Sequence, residues 1–565
     1  MHNEKVIKIK SCKQCNSTFD ITDKDIEFLD KMSPIFLGEK FSIPVSDYCT
    51  DCKLQRRYSW RNLRSLYKTK CSFTGKEIIS MYSPDKKIKV FNLELWWSDD
   101  WDVMDYYLEI DFNKTFFEQY KELIYKVPKR ALIKGTGTEN CDYTNGIGGS
   151  KNCYLIYDSN NCNECYYGNG LINCEKCFDC SYSRGCTNSF MLFNSVDCYE
   201  AFYVINSINC SESKFLYNCT GCSNCFGCVN LTNKSYYIFN KEYNEKDYFN
   251  ELNKITYIEY NIDDFLEFVT SFPSLNLIHV NSENVSGNII YNSKDIKNSY
   301  EVYDAVGIRN STYVHSGSMD CMDVDVVINN SKKAYDCSLL NKSCTNMLFT
   351  YDCWNNCQNL IYCSECKDTK DSFMCNGLVG KQYCILNKQY KEDEYNKLVS
   401  KIIKKMKKNN EWGNFAPISL SLFGYNETIA NEYFPLIEDE AIKKGFNWSQ
   451  YEAPLQKINK IIPADKLSND INKIPDDMLN WAIECDVTKK PFMINPQELE
   501  FYRKHNISIP KKHPNQRHLD RMKLKNPRKI FNRKCDKCHI KIKTTFAPNI
   551  KQIVYCEECY NKEIY

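Results

Sequence analysis

The chain lacks a dominant charge: 74 basic residues stand against 72 acidic ones over 565 positions, so charge bounds little globally. It lacks an apolar run long enough to cross a bilayer. The polar start from Met1 to Lys10 has no cleavable-signal pattern, and together these set the expectation of a cytoplasmic protein without a membrane segment. There is no Walker loop, no dinucleotide fingerprint and no His-Glu-x-x-His pair. The glycines near Gly135 and Gly146 read as turn formers rather than phosphate cradles. No catalytic residue is assigned, and a non-enzymatic protein is expected. What the chain does have is 33 cysteines. A disulfide scaffold would explain them in a short secreted chain, which this is not. The abundance of Asn, Lys, Ile and Tyr reads as coding bias as readily as functional demand.

Fourteen of the cysteines fall between Cys141 and Cys228, every one at a residue number divisible by three. Chance gives that phase about once in a million, so a strict internal repeat is required. Rows of twelve align Cys153 and Tyr154 with Cys165 and Tyr166, Cys177 and Phe178, and Cys225 and Phe226. Cys162, Cys174, Cys186, Cys198, Cys210 and Cys222 form a second column. Small and aliphatic side chains at every third residue suit the lumen of a narrow parallel β-solenoid, where cysteine serves as a compact apolar group. Each coil pairs with the next at a strand spacing of about 4.8 Å, so no repeat is stable alone. The geometry resembles the twelve-residue solenoids of insect antifreeze proteins, over about one hundred residues and in packing only, because the threonine rows of an ice-binding face are missing. The aromatic column Tyr154, Tyr166, Phe178, Phe190, Phe202 and Phe226 must then point outward, either to dock the chain's own helices or to meet a protein partner.

The array occurs twice. Lys234 to Tyr243 matches Lys381 to Tyr390 at an offset of 147 residues. In the second copy the inward phase runs Ser299, Val302, Ala305, Ile308, Ser311 and Val314, then slips near 320, 330, 343 and 356, which predicts thirteen-residue coils with corner bulges. Helical spacing ending at Pro273 predicts a short helical insert between the copies. The stretch from Trp96 to Asp102 reads as a cap whose tryptophans shield the first solenoid coil, with a sugar or cation site as the alternative.

Cys535-x-x-Cys538 and Cys556-x-x-Cys559, separated by seventeen residues, have the spacing of a four-cysteine zinc ribbon, with a hairpin expected from Lys541 to Tyr555. Cys12-x-x-Cys15 and Cys49-x-x-Cys52, thirty-three residues apart, have the wider spacing of a treble clef, in which a helix starts at the second pair. A degenerate third copy begins at Cys485, where Thr488 stands in the second ligand position and Arg517 is aligned with Arg56; a third zinc site there would need His513 and His518. The two ends resemble uncharacterised bacterial zinc-ribbon and treble-clef proteins, through Thr544 to Pro548 and Val554 to Tyr560. That resemblance supports two Zn2+ sites and implies no activity.

The helix predicted after Cys52 clusters Arg56, Arg57, Arg61 and Arg64 with Trp60, groups suited to phosphate contact and base stacking. From Lys504 to Lys543 fourteen Lys or Arg residues, Arg517, Arg521, Arg528 and Arg533 among them, face only Asp520 and Asp536. These residues make DNA or RNA the expected ligand, while the helix after Cys52 reads first as a solvated basic face packed on its own finger. The alternatives are a carbohydrate-binding or carbohydrate-active solenoid using Trp96 to Asp111, and a thiol-based metal-binding protein using the cysteine column.

The sequence therefore predicts a mainly β protein with helical insertions, a duplicated twelve-residue parallel β-solenoid flanked by treble-clef and zinc-ribbon fingers. The expected segments are a treble clef with a basic helix at 1–70, a β/α cap at 71–140, the first solenoid at 141–240 and a helical insert at 241–285. They continue with the second solenoid at 286–387, a helical region at 388–484, a degenerate basic treble clef at 485–534 and a zinc ribbon at 535–565.

Overall fold

A computed structural model describes residues 4–255, 261–315, 317–328, 331–340, 342–452 and 460–564. The chain divides into two compact units: one joins residues 1–132, 277–451 and 528–530, the other 133–276, 452–527 and 531–565. The division is nested. The N-terminal fingers share a unit with the second solenoid, and the C-terminal fingers share one with the first.

In the first solenoid each coil pairs in parallel with the coil twelve residues on, as in Tyr154 with Tyr166, Tyr166 with Phe178 and Phe178 with Phe190. The lumen is filled by the divisible-by-three positions; Cys165, Cys177, Cys186, Cys210 and Cys225 are fully buried. All the cysteines are free thiols. Burial pushes the Cys165 thiol up to about 11, which keeps it neutral in the apolar lumen. Each lumen thiol donates to backbone carbonyls, as Cys165 Sγ does to Asn163 O at 3.4 Å and Cys174 O at 3.4 Å.

A second period explains the asparagines. The residue just before each lumen position has a left-handed backbone, as at Asn152 (φ 54), Asn161 (φ 53), Asn173 (φ 54) and Asn194 (φ 50). Asn, Asp and Gly tolerate that conformation best, so the asparagine content has a structural cause and is not merely coding bias. The side chains also bond from coil to coil, with Asn161 Nδ2 to Asn173 Oδ1 at 3.1 Å and Asn194 to Asn206 at 2.8 Å.

The second solenoid has the thirteen-residue coils that the slips predict: Val306 pairs with Met319, Met319 with Lys332, Lys332 with Thr345 and Thr345 with Gln358. The slip near 330 falls on residues outside those described. The register returns to twelve at Gln358 with Lys370, and the first coils are eleven long, Glu283 pairing with Lys294, which the sequence did not indicate. Both arrays end alike: strands Ser235–Ile238 and Gln382–Ile385 fold back onto Lys241–Glu242 and Lys388–Gln389, and helices Glu245–Leu252 and Glu392–Lys408 follow.

The aromatic column is covered by the chain itself. Tyr166, Phe178, Phe190 and Phe202 form one core with Phe492, Ile494, Leu499, Phe501 and Tyr502, and Phe226 joins Phe265, Val269 and Tyr248 of the inserted helices. Among the described residues no open stripe remains there for a protein partner. Of the expected cap, Trp96 packs on Gly377 and Trp97 meets Trp354 at 5.9 Å, so these tryptophans lie against coils of the second array.

Candidate metal centres

Two groups bring four cysteine sulfurs within 4.8 Å of one another: Cys12, Cys15, Cys49 and Cys52, and Cys535, Cys538, Cys556 and Cys559. A tetrahedral ion with metal–sulfur bonds of about 2.3 Å would hold its sulfurs about 3.8 Å apart. Cys15 and Cys49 stand 3.7 Å apart, and Cys538 and Cys556 also 3.7 Å. The donor sets therefore fit a thiophilic ion such as zinc. Among the described residues no third group of this kind occurs, so the lumen column offers stacked pairs rather than a cage.

Each site is built from a tight hairpin followed by a helix. Cys12 N donates to Ser17 O and Asn16 N to Cys12 O, both at 2.9 Å, and Asn16 takes φ 61 to close the turn. Lys13 N reaches Asp47 O at 3.0 Å, which carries the chain to Cys49 and the helix Thr50–Tyr58. The C-terminal site repeats every step: Cys535 N to Ile540 O, His539 N to Cys535 O, His539 at φ 63, Asp536 N to Val554 O, then Cys556 and the helix Glu557–Ile564. Backbone N–H groups also reach the sulfurs, Cys49 N to Cys12 Sγ at 3.4 Å and Cys556 N to Cys535 Sγ at 3.3 Å. At Cys535 such bonds outweigh burial and lower the thiol to about 6, toward the thiolate a metal needs. The hairpin expected from Lys541 to Tyr555 is not the one formed: Phe531–Lys534 pairs with Lys541–Thr544 around the first cysteines. Both fingers thus share one design.

The same design occurs twice more. Cys71 N to Lys76 O, Gly75 N to Cys71 O and Ser72 N to Val90 O repeat it, as do Cys485 N to Lys490 O, Lys489 N to Cys485 O and Asp486 N to Lys511 O. The other three ligand positions are Thr74, Asn92 and Leu95 in one, and Thr488, His513 and Gln516 in the other. Asn92 Oδ1 accepts from Leu95 N at 2.8 Å and His513 Nδ1 from Asn515 N at 3.1 Å, so a side-chain cap starts the helix where a metal would. His513 Nδ1 is engaged in that cap, and among the described residues no third cluster of ligands gathers at Cys485. The finger at Cys71 is not evident from sequence, although Cys71-x-x-Thr74 has the spacing of Cys485-x-x-Thr488.

With His513 matched to Cys49, the counterparts of Lys53 and Arg57 are Arg517 and Arg521, which replaces the alignment of Arg517 with Arg56. Arg57 is buried, its Nε 2.7 Å from Asp325 and its Nη1 2.6 Å from Asp336, and Lys53 pairs with Asp323. In the other unit Arg521 Nη1 lies 2.7 Å from Asp179 Oδ1, and Arg517 pairs with Asp179 Oδ2. One step of the finger helix, i to i+4, plugs two cations into solenoid carboxylates in each unit.

The other residues singled out for nucleic acid are mostly engaged within the fold as well. Trp60 is buried against Phe415 and Tyr351, and Arg61 is buried. Arg56 lies over the Tyr48 ring at 4.2 Å and Arg64 is half-buried. Arg528 bonds Glu301 at 2.8 Å and Arg533 lies 3.3 Å from Asp536. Other cations are exposed, and among them Lys534, Lys541 and Lys543, with Asn532, line the solvent face of the last hairpin. Lys534 sits directly across from Lys541.

No helix among the described residues is long and apolar enough to cross a membrane. A scan against protein-family models found no match, and a search of curated proteins found none.

Proposed function

We propose that this protein is a non-catalytic scaffold in which two zinc-bearing fingers and two metal-free ones are fastened to a duplicated solenoid, and that it meets nucleic acid through the last hairpin. The observation that carries the scaffold reading is the fourfold recurrence of one finger design, complete with four cysteines at Cys12 and Cys535 and held by side-chain caps at Cys71 and Cys485. When bound, zinc supplies a fixed tetrahedral junction between hairpin and helix. Elemental analysis of the purified chain is expected to give two zinc equivalents. Cys538→Ser should leave one, and Cys485→Ser should leave two. A count that falls equally in both variants would end this reading.

The nucleic-acid part rests on Lys534, Lys541 and Lys543. Like charges directly across a strand pair repel, an arrangement that a polyanion would relieve. Replacing all three with alanine is expected to weaken binding of a single-stranded oligonucleotide. It should also flatten the dependence of log K on log salt by about 2, since each phosphate that lysine neutralises contributes about 0.7 to the slope. An unchanged slope in fluorescence anisotropy would remove nucleic acid from the proposal and leave the zinc scaffold standing.

A further inference from the structure

The helices that follow the two solenoids are copies of one element with different surfaces. The offset of 147 residues sets Tyr248 on Tyr395, and both rings are buried. The first helix stops at Leu252 after eight residues, and its charged residues are Glu245, Lys246, Asp247 and Glu251. The second runs on to Lys408, and beyond Tyr395 it carries Lys397, Lys401, Lys404, Lys405, Lys407 and Lys408 with no acidic residue.

Packing explains the added turns and not the lysines. Val399, Ile402, Ile403 and Met406 are fully buried, in the same core as Phe373 and Ile385 of the solenoid. Lys397, Lys401, Lys404 and Lys408, spaced i, i+4, i+7 and i+11, form one exposed stripe on the opposite side of the helix. The helix dipole favours cations in the last turn, which accounts for Lys405, Lys407 and Lys408 and leaves Lys397, Lys401 and Lys404 unexplained. Like charges four residues apart repel, as at Lys397 and Lys401. Among the described residues the stripe has one counter-ion, Glu39, 2.6 Å from Lys404 and itself half exposed. Lys401 lies over the Phe112 ring at 4.1 Å, a contact that holds the ammonium without neutralising it.

Shape and charge select the partner. At a rise of 1.5 Å per residue the stripe is about 16 Å long, which matches an extended polyanion better than a single small anion. A helix that lies in a bilayer needs its apolar face for lipid, and here that face is in the protein core. The stripe has no arginine and no aromatic ring with which to read or stack bases, so it suits a phosphate backbone of any sequence.

We propose that this stripe binds the phosphate backbone of a nucleic acid, a contact in the unit of the second solenoid additional to that of the last hairpin. It shares the nucleic-acid reading above but none of the residues on which that reading rests.

The test is fluorescence anisotropy of the full, metal-replete chain with a single-stranded oligonucleotide over a range of salt. Lys397, Lys401, Lys404 and Lys408 are changed together to glutamine, which preserves helix propensity. Affinity at low salt is expected to fall by about tenfold or more. The slope of log K against log salt should flatten by about 3, at about 0.7 for each phosphate that a lysine neutralises. Lys397→Gln with Lys401→Gln alone should flatten it by about 1, and this pair keeps the test open if the fourfold variant misfolds. An unchanged slope in the helix variants, beside a flattened one in the hairpin variant, would overturn this proposal and leave the hairpin reading standing. The reverse result would support the helix and remove the hairpin. A wild-type chain that binds no oligonucleotide overturns both, and retention on phosphatidylserine vesicles in its place would assign the stripe to a membrane instead.

Discussion

Chelation of the metal is expected to unfold residues 531–564 while the coils of the first solenoid stay intact. The C-terminal finger has a core of only Cys535, Ile542, Phe546, Val554 and Cys556, two of them ligands. A segment of that size cannot bury enough apolar surface to hold itself. Bound zinc contributes an apparent stabilisation of about 10–16 kcal/mol in finger peptides, far more than such a core supplies. The strand Ile553–Tyr555 pairs in parallel with Pro273–Leu275, so the amides there should lose protection in the same step. The finger at Cys485 should not respond, because it packs on Phe178 and Phe190 through Phe501 and Tyr502. Hydrogen exchange with and without chelator reads all three segments at once. Protection that survives chelation between 531 and 564 would mean the finger folds without metal.

The contrast between those two fingers shows where the sequence was readable. A fixed period fixes a coil: the phase of three placed the lumen cysteines and the outward aromatics correctly, because a narrow solenoid permits little else at those positions. Thirteen-residue coils were legible as slips in the same phase. Cysteine spacing placed both four-thiol groups. The finger at Cys71 was invisible because three of its four ligand positions are Thr74, Asn92 and Leu95, and only backbone bonding identifies it. The arginines failed for another reason. Arg57 and Arg521 carry the composition of a phosphate-binding surface, but their partners Asp325 and Asp179 lie hundreds of residues away in the chain, and local sequence carries no trace of that pairing. The same distance hid the pairing of Lys53 with Asp323.

Asp179→Asn is expected to destabilise the junction between the Cys485 finger and its solenoid by about 3–5 kcal/mol, the cost of leaving buried charge without its partner. Asp179 is the shared counter-ion of two buried guanidinium groups, and Arg521 is held further by Ser181 Oγ at 3.0 Å and the Tyr167 carbonyl at 2.9 Å. Asparagine is the informative replacement. Asp179 has φ 53, where alanine would add backbone strain, whereas asparagine tolerates that conformation and removes only the charge. Glu498, 3.6 Å from Arg517, offers partial compensation to that guanidinium, and the helix Pro514–Met522, which carries both arginines, should loosen. With two units in one chain a single melting temperature is not a defined measure, so local opening has to be read by hydrogen exchange. Protection of that helix should fall by about a hundredfold to several thousandfold, at about 1.4 kcal/mol per factor of ten. Converting Arg517 and Arg521 to methionine in the same background should restore much of it, since the stranded charge is then gone. If Asp179→Asn alone leaves exchange unchanged, the two arginines are not held by this carboxylate, and their burial needs another cause.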